Sequence, residues 1–287
     1  LLNDITSIFS CTDFTIFKNT IQNKGIINCL VVKNSADKYS RKNIDELTEF
    51  VKKYDAKGLA WLKYIDDNFN GGIAKNLNDA EINELKNKLN LENNDLILIV
   101  ADKPKTVYQS LGALRNKLGK DLDLINKSKY NFLWIIDFPM FEYSEIEKRY
   151  MSAHHPFTMP KNIDKLDDPE NCYARAYDSV LNGYELASGS VRIHDRKIQS
   201  KVFEALKISD EEAKAKFGFL LEAFKYGAPP HIGIAFGLER LTMILADTDN
   251  IRDVVAFPKT ASASCLMSEA PSEVDKKQLD ELGIKII

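Results

Sequence analysis

The sequence predicts an α+β fold built in two parts, and the order of its apolar segments supports this. In residues 1–127, short strand-like runs alternate with amphipathic helices, which is typical of an α/β sandwich of modest size. From residue 131 onward, strand candidates follow one another in hairpin-like order, which favours a largely antiparallel sheet with helices on one side. The polar stretch 119–130 interrupts both patterns. We therefore expect two domains, at residues 1–127 and 128–287.

The first part is expected to hold three strands and three helices. Strands are predicted at residues 25–32, 59–65 and 96–101. The last of them is a continuous apolar run, as in a buried strand. Ser40 is a good N-cap for a helix that reaches residue 54, Asn78 or Asp79 begins a second helix, and a third covers 106–117. Nothing in this part resembles a catalytic constellation.

The second part is expected to hold five strands and three helices. Strands are predicted at residues 132–136, 149–154, 177–186, 190–194 and 232–236. The strand at 132–136 is strongly apolar, which predicts burial. Helices are predicted at residues 198–206, 211–226 and 238–246.

Composition excludes several classes of protein. Hydrophobic residues make up 44% and charged residues 28% of the 287 residues, as in ordinary globular proteins. The net charge of −3 gives no global basic field, so any nucleic-acid contact would be local. Four scattered cysteines favour free thiols in a reducing cytoplasm over a zinc site or a disulfide framework. No stretch reaches the ~18 apolar residues of a membrane span. Because the chain opens at Leu1 directly into apparent fold, we expect it to be a fragment.

Residues 233–241 form the most informative stretch. An apolar run stops at Gly237, a Glu-Arg pair follows, and an apolar helical pattern begins, which predicts a strand, a tight elbow and a helix. Arg240 then lies in the first helical turn, where a cation opposes the partial positive charge of the helix N-terminus. An anion such as a phosphate would join the two positive features. The alternative is a solvated face of an amphipathic helix.

Two carboxylates, Asp178 and Glu185, lie seven positions apart on an otherwise apolar predicted strand. Carboxylates are costly to bury unless they are paired or bound to metal, and Mg²⁺ takes one or two of them together with nucleotide phosphates. The odd spacing puts them on opposite faces of a flat strand, which a bulge at Gly183 would correct. Two solvated edge-strand carboxylates are the alternative.

Histidine and arginine side chains follow two further strands. Neighbours on a strand face opposite ways, so at most one of His154 and His155 would face a shared cleft. In residues 187–194, Arg192 and His194 are expected to face away from the core. An arginine on a sheet surface can hold a carboxylate in bidentate fashion. A structural histidine and an exposed salt-bridge arginine are the alternatives.

These groups suit a reaction run by positioning and charge neutralisation. No Ser-His-Asp order and no activated cysteine suggest covalent catalysis. Two anion-binding arginines with two magnesium-type carboxylates fit nucleotidyl or phosphoryl transfer.

The second part resembles the C-terminal part of bacterial-type aspartyl-tRNA synthetases, which are class II aminoacyl-tRNA synthetases. Residues 233–240 match the third signature motif of that class. The matching segments are residues 154–158, 176–194, 217–245 and 251–272. The resemblance implies part of the class II antiparallel sheet with flanking helices. Residues 1–127 look like the GAD domain inserted before this motif, with residues 56–61 and 110–115 in support.

The resemblance implies an L-aspartate pocket. His154 would contact the amino acid, and Arg192 would hold its side-chain carboxylate. Ser188 would border the same pocket. It lies in an Ala-Ser-Gly-Ser turn where bacterial relatives usually carry a run of glycines, so it adds a hydroxyl group and removes backbone freedom.

The resemblance also implies an ATP site. Glu185, with Asp178 in support, would hold Mg²⁺ on the nucleotide. The ATP pocket would be lined by Gly237, Leu238, Glu239 and Arg240. Arg240 would contact the terminal phosphates and would be catalytic together with Glu185. Glu239 stands where this subfamily usually has aspartate.

The implied reaction is ATP-dependent formation of aspartyl-adenylate and transfer of aspartate to tRNA, by a cytoplasmic homodimer without membrane association. The family's anticodon-binding domain, its first motif at the dimer interface and its second motif are not found in this sequence, so we expect the fragment alone to be inactive. Two rival functions are a non-catalytic tRNA-binding or regulatory paralogue and an asparaginyl-tRNA synthetase.

Overall fold

The computed structural model describes residues 1–286, and the chain divides between Lys127 and Ser128 into two compact units. The first unit contains a five-stranded sheet. Its strands are β1 (Leu2–Asp4), β2 (Ile26–Val32), β3 (Ala60–Ile65), β4 (Asn68–Asn70) and β5 (Asp95–Asp102). They lie in the order β1-β2-β5-β3-β4, and every neighbouring pair is antiparallel.

Helices cover both faces of this sheet. They are α1 (Thr15–Gln22), α2 (Arg41–Lys52), α3 (Asp79–Leu89) and α4 (Pro104–Asp121). Alternate residues of a strand point to opposite faces, so β5 sends Leu96 and Leu98 to a core shared with α2 and α4. It sends Ile97 and Ile99 to a second core shared with α1 and α3. The layered sandwich was predicted, and the antiparallel pairing makes its class α+β.

The predicted N-caps are present. Ser40 Oγ accepts a hydrogen bond from the Asn43 backbone N–H at 3.3 Å. Asn78 Oδ1 accepts from the Glu81 N–H at 2.9 Å, and the Glu81 carboxylate accepts from the Asn78 N–H at 3.0 Å. Both are capping boxes, which satisfy backbone donors that a helix start leaves free. The fourth helix is longer than the predicted 106–117, because Pro104 suits its first turn.

The second unit contains a four-stranded antiparallel sheet and a separate two-stranded hairpin. Its strands are β6 (Phe132–Ile136), β7 (Phe141–Ser144), β8 (Arg149–Ser152), β9 (Ala176–Leu181), β10 (Tyr184–Val191) and β11 (Ile232–Phe236). The sheet order is β11-β10-β9-β6, and β7 pairs with β8. The prediction of one strand over 177–186 was wrong. Asn182 and Gly183 both have positive φ, and they form a tight turn between β9 and β10.

Four helices belong to the second unit: α5 (Arg196–Ala205), α6 (Asp210–Ala223), α7 (Leu238–Leu245) and α8 (Lys276–Leu282). A buried cluster of the second unit joins Met140, Cys172 and Ile193 to Val202 of α5. Across residues 1–286, no helix is long and apolar enough to cross a membrane.

Strand β6 departs from the sequence prediction. Its five residues are between 42% and 66% exposed, although their apolar run predicted burial. Within the described residues, β6 lies at the edge of the sheet and pairs on one side only, with β9. The apolar surface of β6 therefore remains exposed in the described chain, although surface of this kind is normally buried against a partner.

Candidate active site

The predicted strand–elbow–helix is present at residues 232–245. Strand β11 ends at Phe236, Gly237 is the N-cap of α7, and Arg240 is the third residue of that helix. The Gly237 N–H donates to the Leu186 carbonyl at 2.8 Å, which fixes the elbow against β10. The first turn of α7 is thereby placed beside the beginning of β10.

Arg240 contacts Glu185 across this junction. One guanidinium N–H donates to the Glu185 carbonyl oxygen at 2.7 Å, and the same nitrogen lies 3.6 Å from the Glu185 carboxylate. Both side chains are nearly half exposed, and an exposed ion pair of this kind contributes about 0–1 kcal/mol. An incoming phosphate can therefore replace the carboxylate as the partner of Arg240 at little cost.

Asp178, Glu185 and Ser188 lie on one face of the sheet. Asp178 is directly opposite Ser188, and Glu185 is opposite Val180. The register shifts between Glu185 and Ala187, and this bulge cancels the odd spacing that would otherwise send Glu185 and Ser188 to opposite faces. A bulge was expected at Gly183, and this was wrong: Gly183 belongs to the turn.

The carboxylates fit a hard cation. Oδ1 of Asp178 is shielded from solvent and has no hydrogen-bond partner within residues 1–286. Leaving a buried acceptor without a hydrogen bond costs free energy, so a bound cation or a hydrogen-bond donor would stabilise this atom. No group of three or more metal-ligand side chains occurs in the described chain. Asp178 and Glu185 alone would hold a Mg²⁺ ion, whose other ligands would be phosphates and water.

Arg192 and His155 form a second polar cluster just beyond the end of β10. Arg192 follows β10 directly, and its backbone is held by a bridge to Thr158 and by the His231 carbonyl at 3.0 Å. Nη1 of Arg192 lies 3.3 Å from Nδ1 of His155. The same Nδ1 accepts from the Phe157 N–H at 3.2 Å.

The contact with Arg192 requires a neutral imidazole. Burial lowers the pKa of His155, and the positive charges of Arg192 and His154 lower it further. A neutral ring leaves Nδ1 free to accept hydrogen bonds, whereas a protonated ring would repel the guanidinium.

The half-buried Arg192 side chain has no carboxylate partner among residues 1–286. Its remaining donors have the fork geometry that matches a carboxylate. The site thus offers a cation for a carboxylate ligand, a second cation at a helix start, and two carboxylates on the sheet face that carries Ser188.

The sequence profile of the class II tRNA synthetases (D, K and N) matches residues 7–261. This chain belongs to that family. It is 57% identical to an aspartate–tRNA ligase of Staphylococcus saprophyticus over 96% of the chain, and 56% identical to one of Macrococcus caseolyticus over 99%. These matches cover 47% and 48% of the two relatives, so the chain spans about half their length.

Among solved structures, an aspartyl tRNA synthetase of Entamoeba histolytica is similar to this chain, at 23% identity and a TM-score of 0.37. The match covers 84% of this chain and 44% of the Entamoeba chain.

Two further residues of this class II synthetase chain complete the description. His154, the predicted aspartate contact, is exposed and meets the ring of Phe138 edge to face at 5.0 Å, so its role stays a prediction. His155 was not chosen from the sequence, although the adjacent pair was noted. Alternation along a strand was the wrong guide, because β8 ends at Ser152 and both histidines lie in the irregular segment beyond it.

Strands β10 and β11 approach each other closely at Gly189, in the run of small residues that precedes Arg192. A Cβ atom there would lie 2.0 Å from the Gly233 carbonyl oxygen of the neighbouring strand, so no larger residue fits. Ser188, one position earlier, faces Asp178 and tolerates a side chain. The replacement of a usual glycine by Ser188 therefore changes the surface of the candidate pocket without disturbing the close approach of the strands.

Proposed function

We propose that this chain is part of an aspartate–tRNA ligase, which activates L-aspartate with ATP and transfers it to tRNA. The observation that carries the proposal is the half-buried Arg192 without a carboxylate partner in the described chain. The high identity to aspartate–tRNA ligases over nearly the whole chain supports the same function.

Arg192 selects the amino acid in this proposal. Its guanidinium holds the side-chain carboxylate of aspartate, while the neutral His155 fixes the orientation of the guanidinium. His154 and Ser188 border the same pocket. Asparagine would leave the cation without a charged partner, and a site built around a charged hydrogen-bond pair discriminates strongly against such an analogue. The rival asparaginyl specificity is disfavoured for this reason.

Arg240 and the two carboxylates serve ATP in this proposal. Arg240 exchanges Glu185 for the terminal phosphates, next to the elbow formed by Gly237, Leu238 and Glu239. Glu185 and Asp178 would hold Mg²⁺, which would neutralise part of the phosphate charge. The aspartate α-carboxylate attacks the α-phosphorus, so that aspartyl-adenylate forms and pyrophosphate leaves. A terminal tRNA hydroxyl then takes the aspartyl group and releases AMP.

Three further assignments belong to the proposal. The first unit is the GAD-like inserted domain, the whole protein is a cytoplasmic homodimer, and residues outside this chain complete the site. The exposed apolar strand β6 supports the last point, because a sheet edge of this kind normally packs against further chain.

Aspartate-dependent exchange of pyrophosphate into ATP tests the function. The full-length protein is expected to exchange with aspartate and not with asparagine, whereas residues 1–287 alone are expected to show no exchange. Exchange with asparagine at equal efficiency would overturn the proposed specificity. A full-length protein that binds tRNA but exchanges with neither amino acid would establish the non-catalytic alternative instead.

A further inference from the structure

The first unit contains a cavity of about 730 Å³ that lies apart from the candidate active site. Its floor is one face of the sheet, with Ala60 of β3 opposite Ile99 of β5 and with Ala101 two positions further along. Phe17 of α1 and Ile73 form its walls. This volume lies in the range that small organic ligands occupy in proteins.

The cavity arises from a change in side-chain size along the sheet. At one end of this face, Leu62 and Tyr64 of β3 are buried in the core that includes Leu85 of α3. At the other end, Gly58, Ala60 and Ala101 are too small to fill the space beside α1. Gly58 is the clearest case, because a Cβ atom built there meets nothing within 4 Å. A protein core is normally packed without such a gap.

Three of the residues that line the cavity are charged. Lys57 and Lys103 both line it and are exposed, and neither ammonium group makes an ion pair or hydrogen bond with any residue between 1 and 286. Asp102, the residue before Lys103, also lines the cavity. One of its carboxylate oxygens accepts from the Lys103 backbone N–H at 2.8 Å, and the other is shielded and has no partner in the described part of the chain.

We propose that this cavity binds a small amphipathic anion with an aromatic or similarly bulky apolar body and one N–H or O–H donor. The apolar body fills the space left by Gly58, Ala60 and Ala101. The anionic group lies between Lys57 and Lys103, and the donor completes the hydrogen bonding of Asp102. A free aromatic carboxylate and a nucleotide share this chemistry. The site goes beyond the proposed aminoacylation and does not depend on it.

Indole-3-acetate is a suitable probe, and tryptamine is its cationic counterpart of similar size. We expect titration calorimetry of the purified chain to detect indole-3-acetate binding, with tryptamine at least about tenfold weaker because the lysines repel it. In methyl-labelled protein, NMR shift changes are expected at Ile16, Ile73 and Ile99. Shift changes confined to the second unit would overturn the proposal, as would equal binding of tryptamine.

Variants locate the probe and identify its anchor. Gly58→Leu is expected to weaken the binding of indole-3-acetate at least about tenfold, because the leucine side chain would occupy the space of the indole ring. Gly112→Leu is the matched control, since its Cβ also meets nothing and it does not line the cavity. The double variant Lys57→Ala/Lys103→Ala should bind indole-3-acetate about tenfold more weakly. The control double variant, Lys42→Ala/Lys53→Ala, removes one lysine on helix α2 and one just beyond it, and should bind the probe as the wild type does.

The outcomes separate cleanly once circular dichroism confirms that each variant is folded. Wild-type affinity in a folded Gly58→Leu protein, or in the Lys57/Lys103 double variant, would overturn the proposal. Displacement of the probe by AMP would identify a nucleotide as the source of the ligand. Failure of AMP to displace a bound probe would exclude a ligand of the AMP type and leave an aromatic carboxylate as the source.

Discussion

The guanidinium of Arg192 lies 3.3 Å from Nδ1 of His155, at the end of β10. Partial burial lowers the pKa of this imidazole and so favours its neutral form, whose lone pair holds the guanidinium in one orientation. The arginine is therefore preorganised for an external anion instead of turning to a surface carboxylate.

Replacing Arg192 with alanine in the full-length protein tests this role. We expect the KM for aspartate in pyrophosphate exchange to rise on the order of 100-fold, the cost of losing a charge-assisted bidentate pair. The KM for ATP should change little. Arg196→Ala is the control, because that arginine is exposed at the start of α5. Equal losses for both substrates would contradict the assignment.

The same substitution should change the titration of His155. Removing the Arg192 charge is expected to raise the His155 pKa, yet to leave it below the ordinary value of about 6.5, because burial is the larger cause. NMR titration of the imidazole protons measures this, with His155→Asn to assign the resonance. Arg196→Ala should leave the value unchanged.

The lowered pKa of His155 also predicts a pH dependence of folding. Below about pH 6.5 the unfolded chain binds this proton and the folded chain resists it, so the free energy of unfolding falls as the pH drops towards the lowered pKa. Above about pH 6.5 this contribution is constant. Urea unfolding between pH 5 and 8 measures it, and His155→Asn should remove that part of the dependence.

Glu185→Gln tests the magnesium assignment. Glutamine keeps the shape but not the charge, so the Mg²⁺ concentration for half-maximal exchange by the full-length protein should rise about tenfold. Glu211→Gln is the control, because Glu211 is exposed in the first turn of α6. An unchanged magnesium titration would show that Glu185 does not ligate the ion.

A pair of glycine substitutions tests the turn that joins β9 and β10. Gly183→Ala should destabilise the second unit by about 1–2 kcal/mol, since Gly183 has φ of +88° and a side chain is strained there. Gly218→Ala within α6 should stabilise it by about 0.5–1 kcal/mol. In a Trp61→Phe background, the fluorescence of Trp134 reports unfolding of this unit. The same sign for both changes would contradict the argument.

Local sequence signals predicted most of the helices and the elbow. Ser40 and Asn78 were recognised as N-caps because their hydrogen bonds lie within four residues. Gly237 and Arg240 were placed correctly for the same reason, since the apolar period changes there from a strand to a helix.

Long-range pairing could not be predicted in this way. The register that places Asp178 opposite Ser188 depends on the bulge between Glu185 and Ala187, and no residue of this segment marks the position of that bulge in the sequence. The choice between His154 and His155 depends on where β8 ends. The exposure of β6 depends on what covers this part of the sheet. An apolar pattern predicts that the strand is covered, but it does not identify the covering segment.

The bulge between Glu185 and Ala187 has a consequence for how this segment can vary. It makes the spacing of residues 185–188 matter as much as the identity of Glu185, because deletion of one residue between Glu185 and Ser188 would turn Glu185 away from Asp178 and Ser188 while leaving its carboxylate intact. A change of length by one residue should act like the loss of a carboxylate, in a chain that otherwise folds as before.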